Sequence, residues 1–215
     1  MSDSPVRTQM IEAASRLFSK QGYRSTTMRG IVEEAGTPWG SVHHYWPGGK
    51  EQLGVAAIEF GDQCVRGVIS YCTGNAATAS EAVALYLTLV GTVLEDSGWQ
   101  NGCPVTTVAL EVASDGTKVT AACEAAFDGW RALWAGAFAA AGVPAQRSLE
   151  LATIVVGGIS GALILSRVSR TVDPMRLAAE TLAAQVEGAR VEGAQIGSAQ
   201  LEGAQVESAT TPATT

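Results

Sequence analysis

The side chains that could do chemistry are concentrated in one run, TPWGSVHHYWPGGK, at positions 37–50. His43 and His44 are the only histidines, and adjacent residues on a helix point about 100° apart, which suits no single metal ion. Gly48-Gly49-Lys50 is a fragment of a phosphate-binding loop without the rest of its pattern or a preceding strand. Because both histidines lie in this run, none remains for a nucleophilic triad elsewhere. We therefore expect no metal site, no cofactor and no enzymatic activity.

The same run carries side chains of the kind that contact DNA. Thr37, Pro38, Trp39, Gly40 and Ser41 lie at the start of a predicted short helix, where a helix-turn-helix reaches base edges. Tryptophan can contact a thymine methyl group, and glycine allows close approach to the groove. The predicted chemistry is therefore recognition of a duplex.

Two predicted helices must position these side chains. Met28, Ile31, Val32 and Ala35 have the spacing of a helix with one buried face. Gly36 follows at the position where a left-handed residue ends a helix.

The second helix is predicted from Pro38 to Tyr45. Thr37 would cap it, and Pro38 would occupy its first position, where a missing N–H costs nothing. Only Val42 is clearly a core residue, so most side chains of this helix face outward. Such a helix is typical of the recognition element of a helix-turn-helix.

Residues from about Val6 to Leu53 resemble the DNA-binding domain of the TetR family of bacterial transcriptional regulators. The resemblance includes AASRLF at 13–18, KQGY at 20–23 and the segment described above. The family usually has Tyr at position 43 and Phe at position 46, where this chain has His and Trp. The resemblance implies that five residues touch phosphates: Thr27, His43, His44, Tyr45 and Lys50. For Tyr45, packing against the first helix is an equally good interpretation.

Charge is divided unevenly along the chain, whose 215 residues carry a net charge of −7. Residues 1–50 hold six Lys/Arg and four Asp/Glu, a net charge of +2, whereas the remainder has eight basic and seventeen acidic residues. A basic head on an acidic body is consistent with phosphate contact by the head alone.

The rest of the chain predicts an all-α body. Helices are predicted over Lys50–Tyr71, Ser80–Asp96 with a Ser cap, Cys103–Ala113, Lys118–Ala141, Ser148–Arg167 and Asp173 to about Val186. We expect a helix-turn-helix domain over residues 1–50, an effector-binding and dimerisation domain over 51–187, and a tail over 188–215.

Two segments resemble the LmrA/YxaF-like branch of the TetR family. One is Gly102-Cys103-Pro104 followed by an apolar helix, and the other is Trp46–Leu53. The resemblance implies a ligand-responsive repressor whose effector is a small organic molecule.

Aromatic side chains form a stripe along one predicted helix. Phe127, Trp130, Trp134 and Phe138 are spaced by three, four and four residues, and Trp99 could join them from a loop. Such a stripe is more often ordinary core than the wall of a pocket. The resemblance implies a body core that is hollowed to hold an apolar effector, so the two interpretations partly coincide, with Trp99, Phe127, Trp130 and Trp134 as the effector-binding residues.

Glycines recur inside the helix predicted at 148–167. Gly157, Gly158 and Gly161 are costly in a helix unless another backbone must approach closely. The resemblance implies a four-helix bundle across a two-fold axis, with Leu165 on the same surface. The alternative is tight packing within one subunit.

From Ala184 to Ser208 the sequence repeats every five residues, with Ala first and Val, Ile or Leu third. This period fits neither a helix nor a strand. It resembles the pentapeptide repeat of a right-handed β-helix, but five copies are too few to bury a stacked face. We therefore predict a frayed or disordered extension.

The sequence predicts a reduced, cytoplasmic protein. Its four cysteines, at 64, 72, 103 and 123, show no CxxC spacing, and no export signal or membrane span is predicted. The leading hypothesis is a homodimeric repressor that binds a double-stranded operator and is released by a small organic effector. The alternative is a helical small-molecule-binding protein without DNA binding.

Overall fold

A computed structural model describes residues 4–210, with side chains described as far as Gln195. Over this range the protein is all-α, as predicted, and contains no strand. Its helices are α1 (Pro5–Gln21), α2 (Met28–Ala35), α3 (Ser41–Tyr45), α4 (Gly49–Asn75), α5 (Ala79–Asp96), α6 (Pro104–Val112), α7 (Lys118–Ala140), α8 (Ala145–Ser169) and α9 (Asp173–Thr210).

The first three helices form a small head whose buried residues are continuous with the core of the body. Met10 and Phe18 of α1, Ile31 of α2 and Val42 of α3 are buried together with Trp46. Helix α2 has the predicted bounds, and Gly36 ends it in the left-handed conformation, with φ 63°. The predicted turn between α2 and the recognition helix is therefore confirmed.

The recognition helix is shorter than predicted. It starts at Ser41 rather than Pro38, and Gly40 precedes it. The amides of Ser41 and Val42 donate to the carbonyls of Pro38 and Trp39, so residues 38–41 form a tight turn before the helix begins. Thr37 is not its cap, since its buried Oγ1 has no hydrogen-bond partner among the described residues.

Helix α4 joins the head to the body, where α7 packs on α4 and on α8, and α9 packs on α5 and α8. The body core contains Leu87, Trp134, Phe138 and Leu151, all nearly fully buried. Helix α5 is capped by Thr78, whose Oγ1 accepts a hydrogen bond from the amide of Glu81, rather than by the predicted Ser80.

Helix α8 has the length and apolar composition of a membrane span, with a mean hydropathy of 1.9. One of its faces supplies core residues, including Leu151, Val155, Ile159 and Leu163. This face packs against α7 and α9, whereas other apolar residues of α8, such as Leu165 and Val168, are exposed.

The tail differs from the expected frayed extension, because α9 continues to Thr210. Val186 and Ala189, in the first repeats, are buried. A Cβ on Gly193 would lie 2.6 Å from the carbonyl oxygen of Gly142 and 2.9 Å from the Pro144 ring. The early repeats therefore dock on the α7–α8 turn, which extends the helix beyond its predicted end.

Candidate nucleic-acid interface and effector cavity

The turn and helix at 38–45 present one outward surface. Trp39 is 52% exposed, and Pro38, Gly40, His43 and His44 are also exposed. The Ser41 hydroxyl donates to the carbonyl of Pro38 and so stabilises the turn. This surface offers apolar and polar groups together, as groove recognition requires.

Two of the predicted phosphate contacts have structural roles as well. The Thr27 hydroxyl caps α2 by accepting a hydrogen bond from the amide of Gly30 at 3.0 Å. The Tyr45 hydroxyl lies 2.8 Å from Oγ of Ser4, just before α1, and its ring packs edge-on against His44. This contact supports the interpretation that Tyr45 packs against the first helix.

Lys50 is folded back on the head. Its Nζ lies 4.3 Å from the centre of the Tyr23 ring and donates to the carbonyl of Arg24 at 3.4 Å. Burial lowers the pKa of the Lys50 ammonium, while the charge of Glu111 opposes that shift.

Helix α6 ties the head to the body at the α1–α2 turn. Glu111 Oε2 accepts a hydrogen bond from the amide of Arg24 at 2.6 Å. The Arg24 guanidinium pairs with Asp115, just after α6, at 2.9 Å. Gly22 lies against the Glu111 carboxylate, and a Cβ at this position would be 1.6 Å from Glu111 Oε1.

A cavity of about 240 Å³ lies in the body and reaches the head. Trp130 and Trp134 line it, as predicted, whereas Phe127 and Trp99 do not. Phe127 lies behind Trp130, with the ring centres 5.1 Å apart. Trp99 has an unusual φ of 67° and lies on a separate surface groove with Leu110 and Val168.

Most residues that line the cavity were not predicted from the sequence. Ser15 of α1, Cys64 of α4, Tyr86 of α5 and the Asn101–Pro104 segment all face this cavity. The signal for the last was the Gly-Cys-Pro pattern, which places Cys103 at the start of α6. Single residues on separate helices, such as Ser15 and Tyr86, carry no pattern that could have grouped them.

The cavity is apolar and electrically neutral. Among the residues that the structure describes, its lining contains no Asp, Glu, Lys, Arg or His. Burial raises the pKa of the Tyr86 hydroxyl and of the Cys64 and Cys103 thiols, so all three are uncharged at neutral pH. Trp130 is held in place by its Nε1, which donates to Asp62 at 2.7 Å, while Arg66 pairs with the same carboxylate.

The glycines of α8 divide between two faces. Gly157 and Gly161 are open, with no heavy atom within 4 Å of an added Cβ, and Leu165 is 61% exposed. Gly158 instead faces the same subunit, because a Cβ there would lie 2.9 Å from Leu182 of α9. Packing within one subunit therefore accounts for Gly158.

Family comparisons match both halves of the chain. Residues 10–57 match the family of bacterial regulatory proteins named tetR, and residues 79–181 match the C-terminal domain of LmrA/YxaF-like transcriptional regulators. The chain belongs to the TetR family. The match of its body places it in the LmrA/YxaF-like branch. The match of its head shows a transcriptional regulator with a DNA-binding helix-turn-helix. The family consists of regulators rather than enzymes.

Two TetR-family relatives from Bacillus subtilis illustrate the match. The uncharacterised HTH-type transcriptional regulator YxaF is 29% identical over 176 residues, covering 82% of this chain and 92% of that protein. The HTH-type transcriptional regulator LmrA is 29% identical over 175 residues, covering 81% and 93%.

Solved TetR-family structures share the fold. A TetR regulatory protein from Rhodobacter sphaeroides superposes with a TM-score of 0.76 at 22% identity, covering 85% of this chain and 99% of that chain. A TetR regulator from Legionella pneumophila gives 0.75 at 21% identity, covering 85% and 97%.

Proposed function

We propose that the protein is a cytoplasmic, homodimeric repressor that leaves a pseudo-palindromic operator when a small, uncharged organic molecule occupies the body cavity. The observation that carries this proposal is the position of the cavity. Ser15 of the head helix α1 and Cys103 at the start of α6 both line it. An occupant therefore touches the two helices that meet at the head–body contact.

The lining supports an apolar, neutral effector. A charged molecule would lose its hydration without gaining a counter-ion, because the lining provides none. Trp134 and Tyr86 offer aromatic surface, with ring centres 5.8 Å apart in an edge-on arrangement.

The outer faces of the last two helices support a dimer. On α8 the open positions Gly157 and Gly161 lie in one stripe with Leu165, and on α9 Leu177 and Val191 are exposed. Two such faces can pack across a two-fold axis into a four-helix bundle, with the glycines allowing close backbone approach.

Operator release tests the proposal. Duplex DNA enriched by the protein is labelled, and a panel of neutral aromatic compounds is screened for release of the complex. We expect at least one compound to release DNA from the wild type but not from Trp134→Ala, which alters the cavity wall. Trp99→Ala, outside the cavity, is the matched control and should keep the response.

The same screen separates the alternative function. A folded protein that binds compounds in the cavity but enriches no DNA would be a helical small-molecule-binding protein. An operator that no cavity ligand releases would instead leave a DNA-binding regulator without the proposed effector response.

A further inference from the structure

The C-terminal end of α1 is held by the body of the protein. The carbonyl of Phe18 accepts the amide of Gly22, which closes the last helical turn. The next two carbonyls, of Ser19 and Lys20, accept hydrogen bonds from Arg167 of α8 instead. The distances are 3.1 Å from Nη1 to Ser19 O and 2.7 Å from Nη2 to Lys20 O.

A second group reaches the same helix end. The amide of Gly102 donates to the carbonyl of Ser19 at 3.1 Å. A Cβ on Gly102 would lie 2.9 Å from Arg167 Nη1 and 3.2 Å from Ser19 O, so a side chain there would push the three groups apart. Glycine is therefore what lets α1, α8 and the loop before α6 converge.

The chemistry of this contact favours a fixed geometry. The end of a helix carries partial negative charge on its unpaired carbonyls, and a guanidinium satisfies two of them with a planar pair of donors. Arg167 is half-buried, and its hydrogen bond to Ser19 is partly buried, whereas the one to Lys20 is exposed. Helix α8 thus holds the head directly, in addition to the ties that Glu111 and Asp115 make to Arg24.

We propose that Arg167 and Gly102 are positioning residues that fix the angle of each head to the dimer helix, and so set the half-site spacing that the protein accepts. This inference rests on the proposed dimer. Because Arg167 lies on the helix whose outer face would form the two-fold bundle, its contact is a short path from the dimer axis to the head. The cavity is also lined by Asn101, Gly102 and Cys103. A bound effector would therefore contact the segment that holds the end of α1.

The test uses full-length protein and an enriched operator whose central spacer is lengthened or shortened by one base pair. Each base pair moves one half-site by about 3.4 Å and turns it by about 35°. We expect the wild type to prefer one spacing by at least about tenfold, a free-energy difference large enough to reflect fixed heads. Arg167→Met should reduce this preference to within about threefold, since it removes the guanidinium donors while keeping an unbranched, flexible apolar stem.

Matched variants separate positioning from folding. Arg167→Lys returns a cation and a donor to the end of α1, and should restore part of the spacing preference. Gly102→Ala should broaden it, as Arg167→Met does. Arg147→Met makes the same change at the far end of α8, where Arg147 pairs with the exposed Glu150, and should leave the spacing profile unchanged.

Two results would overturn the inference in distinguishable ways. If the wild type shows a sharp profile and Arg167→Met keeps it, or loses affinity equally at every spacing, Arg167 has only a structural role. If the wild type itself shows a flat profile, the heads are not held at a fixed angle and the inference is wrong. The proposed dimer fails separately, if sedimentation velocity shows a monomer.

Discussion

Trp39 is the most exposed large side chain at the start of the recognition helix. The turn at 38–41 holds it clear of the head core, because Gly40 and Ser41 follow it in tight hydrogen-bonded geometry. About half of the indole is exposed, and this exposed surface is available for contact with a molecule outside the protein. We expect this surface to contact a thymine methyl group in the major groove.

Trp39→Ala should therefore weaken operator binding without changing thermal stability. We expect a loss of about 1–3 kcal/mol of binding free energy, the usual range for one base contact, measured by fluorescence anisotropy at constant salt. Replacing the contacted thymine by uracil should cost the wild type affinity but leave Trp39→Ala unaffected. Tyr71→Ala, which removes an equally exposed aromatic ring from the body, is the control. Equal losses in both variants would argue against a base contact.

The buried thiol of Cys123 should make the free energy of unfolding depend on pH. Burial raises the pKa of its thiol to about 11, and the nearby Cys103 adds to the shift. In the unfolded chain the thiol ionises near its ordinary value of 9.0, so the folded state binds the proton more tightly. The corresponding stabilisation is complete below pH 9 and is lost as the pH rises towards 11.

Urea unfolding between pH 8 and 11 tests this sign. The free energy of unfolding should fall by up to about 2 kcal/mol more in the wild type than in Cys123→Ala. Burial also raises the pKa of the Cys64 thiol, but that residue is exposed, so Cys64→Ala should change the pH dependence less than Cys123→Ala does. If the free energy of unfolding changed with pH in the same way in the wild type and in Cys123→Ala, Cys123 would not be the source of the pH dependence.

At the scale of elements, the turn between α1 and α2 depends on Gly22. It has φ 82°, a conformation that favours glycine, and it packs against the Glu111 carboxylate of α6. We expect Gly22→Ala to cost about 1–3 kcal/mol of stability through backbone strain and displacement of Glu111. The displaced carboxylate would also lose its hydrogen bond from the amide of Arg24.

A double-mutant cycle checks this coupling. Since Gly22→Ala already breaks the Glu111 contact, adding Glu111→Ala should cost less than it does in the wild type. Gly36→Ala, at a left-handed position with open space around it, is a control for the backbone term alone. Additive costs for Gly22→Ala and Glu111→Ala would contradict the coupling.

Helices with a clear period of 3.6 residues could be predicted from the sequence, and α2, with Ile31 and Val32 inward, has the predicted bounds. The recognition helix was predicted too long because Pro38 and Thr37 suit a helix start as well as a turn. The helical tail could not be foreseen, since a five-residue period moves its apolar positions about 140° around a helix at each repeat. Docking against Gly142 and Pro144 supplies what the pattern lacks.

At the scale of the whole molecule, we expect the proposed dimer to depend on the two open glycines of α8, Gly157 and Gly161. Gly157→Leu or Gly161→Leu should convert the dimer to a folded monomer, because a bulky side chain would keep the partner helix away. Sedimentation velocity measures the change. Gly136→Leu, at an equally open glycine on α7, should remain dimeric. A dimer that survives both α8 variants would place the interface elsewhere.

Only part of the cavity lining could be predicted from the sequence. Trp130 and Trp134 could be predicted as lining, because they share one helical stripe with Phe138. Trp99 could not be placed, since its position depends on a left-handed backbone that no side-chain pattern encodes. The neutrality of the wall emerges only when residues from α1, α4, α5, α7 and α8 are brought together by the fold.

Selection from random duplex DNA by the purified full-length protein, at near-physiological salt to suppress non-specific binding, tests directly whether the protein is a dimeric DNA-binding regulator. We expect enrichment of a two-fold-symmetric site with half-sites one helical turn or more apart. Enrichment of no sequence, by protein shown to be folded and dimeric, would contradict it.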